Sequence, residues 1–206
     1  ARVWHKPKRK DRVIPSAELK GWYEAVEALP NQKAKVYLLT ALYMGLRSKE
    51  VLALEWSHVD LTRKVIALYD TKNGTNRTLP IPNALIPFME SLFKLTGHSK
   101  WVFLWSKPIS KKNALDKPMT TPKRSIASVI KRSGVEFSPH DCRRTFATIA
   151  EAVSLPLTMI KRLMNHTTTN DVTGGYIITE EETLRAATNK VASFITAKVS
   201  GDGIVI

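Results

Sequence analysis

The stretch SPHDCRRTFAT, residues 138–148, gathers what an anion-holding helix end needs. Ser138 suits an N-cap, Pro139 the first helical position, and Asp141 the positive end of the helix dipole. His140 and Arg143, three residues apart, then share a face of the first turn. Arg144 points roughly 100° away and can pair with Asp141 behind that face. The N–H groups of a helix start already attract phosphate, and an imidazole with a guanidinium makes the attraction directional. Taken alone, H-x-x-R fits a capped surface helix with a solvated arginine pair better than an anion site.

A second stretch, GLRSKEVLALEW (45–56), puts Arg47 at the junction of two apolar helical runs, with Glu50 three residues on. A rigidly held guanidinium is what clamping a phosphate requires; a purely structural Arg–Glu pair is the alternative. Lys72 stands beside Asn73-Gly74, a strong hairpin-turn signal. A lysine of lowered pKa could protonate a leaving alkoxide there, and Arg77 on the return strand is its rival. His166 follows the amphipathic run LPLTMIKRLMN, where a histidine is also an ordinary helix-end partner. Ten residues later Gly174-Gly175 precede Tyr176, a seat loose enough for a phenol that moves into and out of a reaction, although a lone tyrosine by itself reads first as an ordinary core or surface residue.

These residues need elements to position them. A helix is expected from Ser16, as N-cap, to Leu29, with Leu19, Trp22, Ala25, Val26 and Leu29 turned inward. A second runs over 32–45, ending at Gly45 as an αL cap. A short third helix follows Arg47-Ser48, turning Val51, Leu52 and Leu54 inward. The period then changes: KVIALYD and RTLPIP read as two strands joined by TKNGTN. Helical patterns return at about 83–95, 121–133, 139–152 and 156–164, the last with Leu157, Ile160, Leu163 and Met164 as its core stripe. The run FLWSKPISKKNALDKPMTTP reads as a long polar loop. A final helix over about 180–198 carries Leu184, Ala187, Val191, Phe194 and Ile195 on one stripe. The fold class is mainly α with a small antiparallel β-sheet.

Composition narrows the chemistry. The 206 residues hold 32 Lys+Arg against 18 Asp+Glu, a formal charge of +14, which favours a nucleic-acid partner through phosphate neutralisation. One cysteine, Cys142, excludes an internal disulfide and paired-cysteine zinc sites. The five histidines show no ligand spacing, so no metal is expected. No run approaches the roughly 18 apolar residues of a membrane helix, and the basic N-terminus has no secretory-signal pattern. Residues 1–14 read as a basic linker or arm, 15–180 as the main domain, and 181–206 as a C-terminal helix and tail.

In this order, Arg47, Lys72, His140-x-x-Arg143, His166 and Tyr176 resemble the catalytic set of the tyrosine recombinases, or phage integrases. The resemblance runs from about residue 15 to the end, and VTGGYI is most similar to integrases of prophages and genomic islands. Three departures stand out: Lys49 where the family often has a small residue, Cys142 for a common leucine, and a His166–Tyr176 interval one residue longer than in many members.

The resemblance implies a tyrosine-recombinase-like catalytic domain that cuts and rejoins DNA at a specific site through a 3′-phosphotyrosyl intermediate, without metal, ATP or cofactor. Tyr176 is then the nucleophile, Arg47, Arg143 and His166 stabilise the phosphate, His140 is the candidate base, Lys72 the candidate acid, and Glu50 supports Arg47. It also implies double-stranded attachment-site DNA, a homotetramer on that DNA, accessory DNA-bending proteins, no membrane partner, and a place in the bacterial cytoplasm near the nucleoid. The last helix would dock on a neighbouring subunit or on its own domain. The family's N-terminal DNA-clamping domain is not found in this sequence, so the chain is expected to be part of a longer integrase of a prophage or other mobile element. A type IB topoisomerase uses similar residues, and a DNA-binding module of the same fold without catalysis is the other alternative.

Overall fold

The computed structural model describes residues 12–69, 76–105, 117–165 and 181–201. The first helix, α1, spans Leu19–Glu27 and starts later than its Ser-Ala opening suggests. Ser16 is not the N-cap: the Glu18 N–H donates to the Pro15 carbonyl at 2.9 Å, closing a turn where the serine would have had to cap. The inward set is as expected, with Leu19, Trp22, Ala25, Val26 and Leu29 all buried.

The second helix, α2 (Gln32–Met44), begins at Asn31, whose side chain accepts from the Ala34 N–H at 3.2 Å. Every residue from Val36 to Met44 is buried. A helix apolar on all sides belongs in an interior, and five of the other α-helices pack against α2. It ends at Gly45 in the left-handed region, φ 60°. Glycine is needed here twice over, because a β-carbon would also overlap the Phe146 ring. The short α3 (Ser48–Leu52) follows at once, tied back to α2 by a 2.6 Å hydrogen bond between the Tyr37 and Ser48 hydroxyls.

A three-stranded antiparallel sheet comes next, in the order β1 (Val59–Asp60), β2 (Val65–Tyr69), β3 (Asn76–Pro80). The two expected strands pair in register from Val65 opposite Pro80 to Tyr69 opposite Asn76. The extra strand β1 is two residues long, too short to leave a period in the sequence. Lys72 and the Asn73-Gly74 tip lie outside the described residues.

Four helices follow: α4 (Ile86–Thr96), α5 (Lys123–Ser133), α6 (Pro139–Ala152) and α7 (Leu157–Met164). The two ends of the polar run between α4 and α5 pair with each other: Met119 N–H donates to Phe103 O at 2.6 Å and Trp105 N–H to Lys117 O at 2.8 Å. Phe103 anchors that junction, fully buried and edge-on to Tyr37. The α7 stripe needs one correction. Ile160, Leu163 and Met164 are buried, but Leu157, the first residue of the helix, is 65% exposed because it lies beyond the surface α7 packs on.

The last helix, α8 (Glu181–Ser200), crosses the body of the chain, touching α1, α2, α6, α7 and β3, with Val191 and Ile195 fully buried. Near the start of the chain, Ile14 is buried and its N–H donates to Thr145 Oγ1 at 2.8 Å, seating the end of the basic arm on α6. No described helix is long and apolar enough to cross a membrane.

Candidate active site

The start of α6 is built around Asp141, only 2% exposed. Its Oδ2 accepts from the Ser138 N–H at 2.8 Å, the Ser138 hydroxyl at 2.9 Å and Arg12 Nε at 2.9 Å, and its Oδ1 from Arg144 at 3.2 Å. Burial alone would raise this carboxyl, but the bonds from Ser138 and Arg12 outweigh it and hold it below the usual carboxylate range. Asp141 therefore stays ionised and fixes the rotation of the first turn. That rotation leaves His140 exposed and drives Arg143 inward.

Arg143 is 3% exposed, rare for a residue that seldom leaves water unpaired. Its two terminal nitrogens donate to Gly45 O at 2.6 Å and Met164 O at 2.5 Å. Its pKa is pulled down to about 10, by burial first and then by Arg47, with Glu50 opposing and Arg77 adding to the fall. Arg143 is thus a cation at neutral pH, held in place before any ligand arrives.

Arg47 stands where α2 gives way to α3, with its side chain 45% exposed. Glu50 grips it at two points: Oε2 accepts the Arg47 backbone N–H at 2.7 Å and Oε1 accepts the guanidinium at 2.8 Å. The other terminal nitrogen donates to Asn165 O at 3.0 Å. Arg77, from β3, sends one nitrogen to Leu163 O at 3.0 Å and Arg162 O at 3.3 Å, while the other lies 3.6 Å from Glu50 Oε2.

These contacts account for one helix end. The last four carbonyls of a helix have no partner within it. For α7 they are those of Arg162, Leu163, Met164 and the cap Asn165; the Asn165 N–H reaches back to Arg162 O at 3.2 Å, and guanidiniums arriving from three distant places in the chain meet all four. The negative end of the α7 dipole favours cations there. Asn165 itself sits in the left-handed region, φ 51°, as an asparagine cap can.

The cluster stands beside a cleft of about 780 Å³ lined by the cations Arg47, Lys49 and Arg77 and by the carboxylates Glu50 and Glu55. Asn165 lines it too, as do the rings of His58 and Tyr69, whose centres lie 4.4 Å apart with their planes tilted by 52°. The planar forks of Arg47 and Arg143 suit the oxygens of a phosphate. Among the described residues no three His, Cys, Asp or Glu side chains converge as metal ligands would.

The structure thus gathers Arg47, Glu50 and Arg143 and places His140 on the first turn of the helix that carries Arg143. Lys72, His166 and Tyr176 lie outside the described residues, although His166 directly follows the clamped Asn165 in the chain. Arg77, considered in the sequence only as a rival of Lys72, joins the same cluster. The available signal was a lone arginine on a strand facing the core side, but its partners lie 85 and 86 residues away.

Residues 12–182 match the profile of the phage integrase family. The chain belongs to that family. Over 164 residues it is 29% identical to prophage integrase IntF of Escherichia coli (strain K12), a match covering 76% of this chain and 33% of that one. The chain thus spans about a third of the length of that relative. The integrase from mycobacterium phage Brujita superposes with a TM-score of 0.68 at 17% identity, covering 95% of this chain and 65% of its own. A lambda integrase tetramer bound to a Holliday junction gives a TM-score of 0.59 at 15% identity, with 81% and 50% covered. The mainly helical fold with its small sheet is therefore that of integrase catalytic domains.

Proposed function

We propose that this chain, chiefly residues 15–180, carries the breaking and rejoining chemistry of a site-specific recombinase that moves a prophage or similar element into and out of DNA. The observation that carries this reading is the convergence of Arg47, from the α2–α3 junction, and Arg143, from α6, on the end of α7 that precedes His166 in the chain. A site built to hold guanidiniums at fixed separations matches the non-bridging oxygens of a phosphodiester.

In the first step the Tyr176 phenol oxygen attacks phosphorus and the bond from phosphorus to the 5′-oxygen breaks. A phenol with an ordinary pKa of about 10 is almost wholly protonated at neutral pH. Its proton passes to His140, while Lys72 supplies one to the departing 5′-oxygen. The DNA is then held as a 3′-phosphotyrosyl ester beside a free 5′-hydroxyl. In the second step a 5′-hydroxyl from another strand attacks that ester, and tyrosine leaves. One phosphodiester is exchanged for another, so the sequence of steps balances without ATP. Charge builds on the non-bridging oxygens at each step, where Arg47, Arg143 and His166 meet it; each such donor is worth about 10²–10³ in rate.

Double-stranded DNA as partner is supported by the charge of +14. Assembly as a tetramer on that DNA is supported by the shared fold with the lambda integrase tetramer on its junction. The test is to incubate the chain with nicked duplexes of randomised sequence and isolate protein–DNA adducts that survive denaturing detergent. Tyr176→Phe should abolish adducts while leaving DNA affinity nearly intact. Adducts persisting at full yield in that variant would overturn the nucleophile assignment.

A further inference from the structure

The Arg77 guanidinium takes two of the four terminal α7 carbonyls and faces Glu50, the residue that grips Arg47. The contacts form a closed circuit: Arg47 to Glu50, Glu50 to Arg77, Arg77 to the α7 end, and Asn165 back to Arg47. Three elements distant in sequence, α3, β3 and α7, are fixed to one another through it. The Arg77 side chain is only 16% exposed, so its bonds are made away from bulk solvent, where each counts for more.

We propose that Arg77 is a positioning residue for strand cleavage, locking β2 and β3, the strands that flank Lys72 in the sequence, against the helix end that precedes His166. The inference rests on the roles assigned above to Lys72 and His166. Lysine cannot substitute: a single ammonium has no planar fork to span the Leu163 and Arg162 carbonyls and Glu50 together. Cross-strand pairing carries the constraint to the last described pair, since Arg77 lies opposite Leu68 in the ladder and Tyr69 opposite Asn76, the residues between which Lys72 falls in the sequence. Arg77 thus acts on the leaving-group side of the reaction through the hairpin.

Two arms test this on the whole chain. In the first, Arg77→Met and Arg77→Lys are compared with the parent in single-turnover cleavage of two nicked duplexes. One has the ordinary 5′-oxygen at the cut and the other a bridging sulfur. A thiol has a pKa of about 8.5 and leaves without a donated proton. On the oxygen substrate Arg77→Met should slow cleavage about 10²-fold, as small misplacements of reacting groups do. On the sulfur substrate that loss should shrink by about tenfold or more, the contribution of a placed acid, with DNA affinity unchanged on both. Arg77→Lys should behave like Arg77→Met. Equal losses on the two substrates would mean that Arg77 serves the phosphate or only stability, and would overturn the proposal.

The second arm needs no activity. Hydrogen exchange in Arg77→Met should speed up selectively at the end of α7 and in β2, leaving α1 and α2 as in the parent. Unchanged exchange at those places would refute the lock. If the parent chain formed no adduct at all, the proposed function would fail while this arm still decided whether Arg77 holds the helix end.

Discussion

Gly45→Ala perturbs the site through a single carbon. The residue sits at φ 60°, where an L side chain costs about 1–2 kcal/mol. Its β-carbon would also overlap the Phe146 ring, which is fully buried in α6 and has nowhere to retreat. Overpacking of that kind costs about 1–3 kcal/mol. The two together predict a loss of about 2–5 kcal/mol, large beside the 5–15 kcal/mol of a typical domain. Urea unfolding at 25 °C measures it, and a double-mutant cycle separates the parts. Phe146→Ala alone should cost about 3–5 kcal/mol. In the double variant the ring is gone, so the combined cost should fall short of the sum by roughly the overpacking share, about 1–3 kcal/mol. Costs that add to within about 0.5 kcal/mol would show that the ring is not what excludes a side chain at 45. The same variant bears on chemistry, because Gly45 O anchors Arg143 and Arg47 lies two residues on.

Arg143→Lys should lower single-turnover cleavage by about 10²–10³-fold. It should also cost about 1–3 kcal/mol in urea unfolding, since one ammonium cannot reach both Gly45 O and Met164 O and a buried carbonyl is left unpaired. Asp141→Asn should cost about 1.5–3 kcal/mol at pH 7, the range for hydrogen bonds to a charged group. The folded-state pKa of Asp141 lies below its unfolded value, so its contribution is present above the unfolded pKa and lost as pH falls through the folded one. The gap between parent and Asp141→Asn in urea midpoint should therefore narrow on going from pH 7 into the acid range; a gap that widened would contradict the sign.

What the sequence revealed and what it hid divide along sequence distance. The all-apolar run of α2 and its glycine cap are local signals, as is the Ser-Pro-x-Asp start of α6, and each element stands where its pattern put it. The Arg47–Glu50 and Asp141–Arg144 pairs are three residues apart and were legible for the same reason. The start of α1 was misplaced because a turn from Pro15 competed with the Ser16 cap, and nothing local weighs one against the other. Leu157 read as core because periodicity reports the face of a helix and not where its neighbours stop. The largest omission is the clamp on α7. Its acceptors are backbone carbonyls, which no residue type announces, and its donors come from the α2–α3 junction, β3 and α6. Arg12, counted within a basic arm, likewise meets Asp141 from 129 residues away.

The most direct test of the central claim is to find the atom that carries the DNA. Adducts trapped on nicked duplexes would be digested with nuclease and protease, and the modified peptide sequenced by mass spectrometry. The expected product is a nucleotide joined through its 3′-phosphate to Tyr176, with a free 5′-hydroxyl on the released strand. A phosphate on any other residue, or a linkage through the 5′ end, would contradict it.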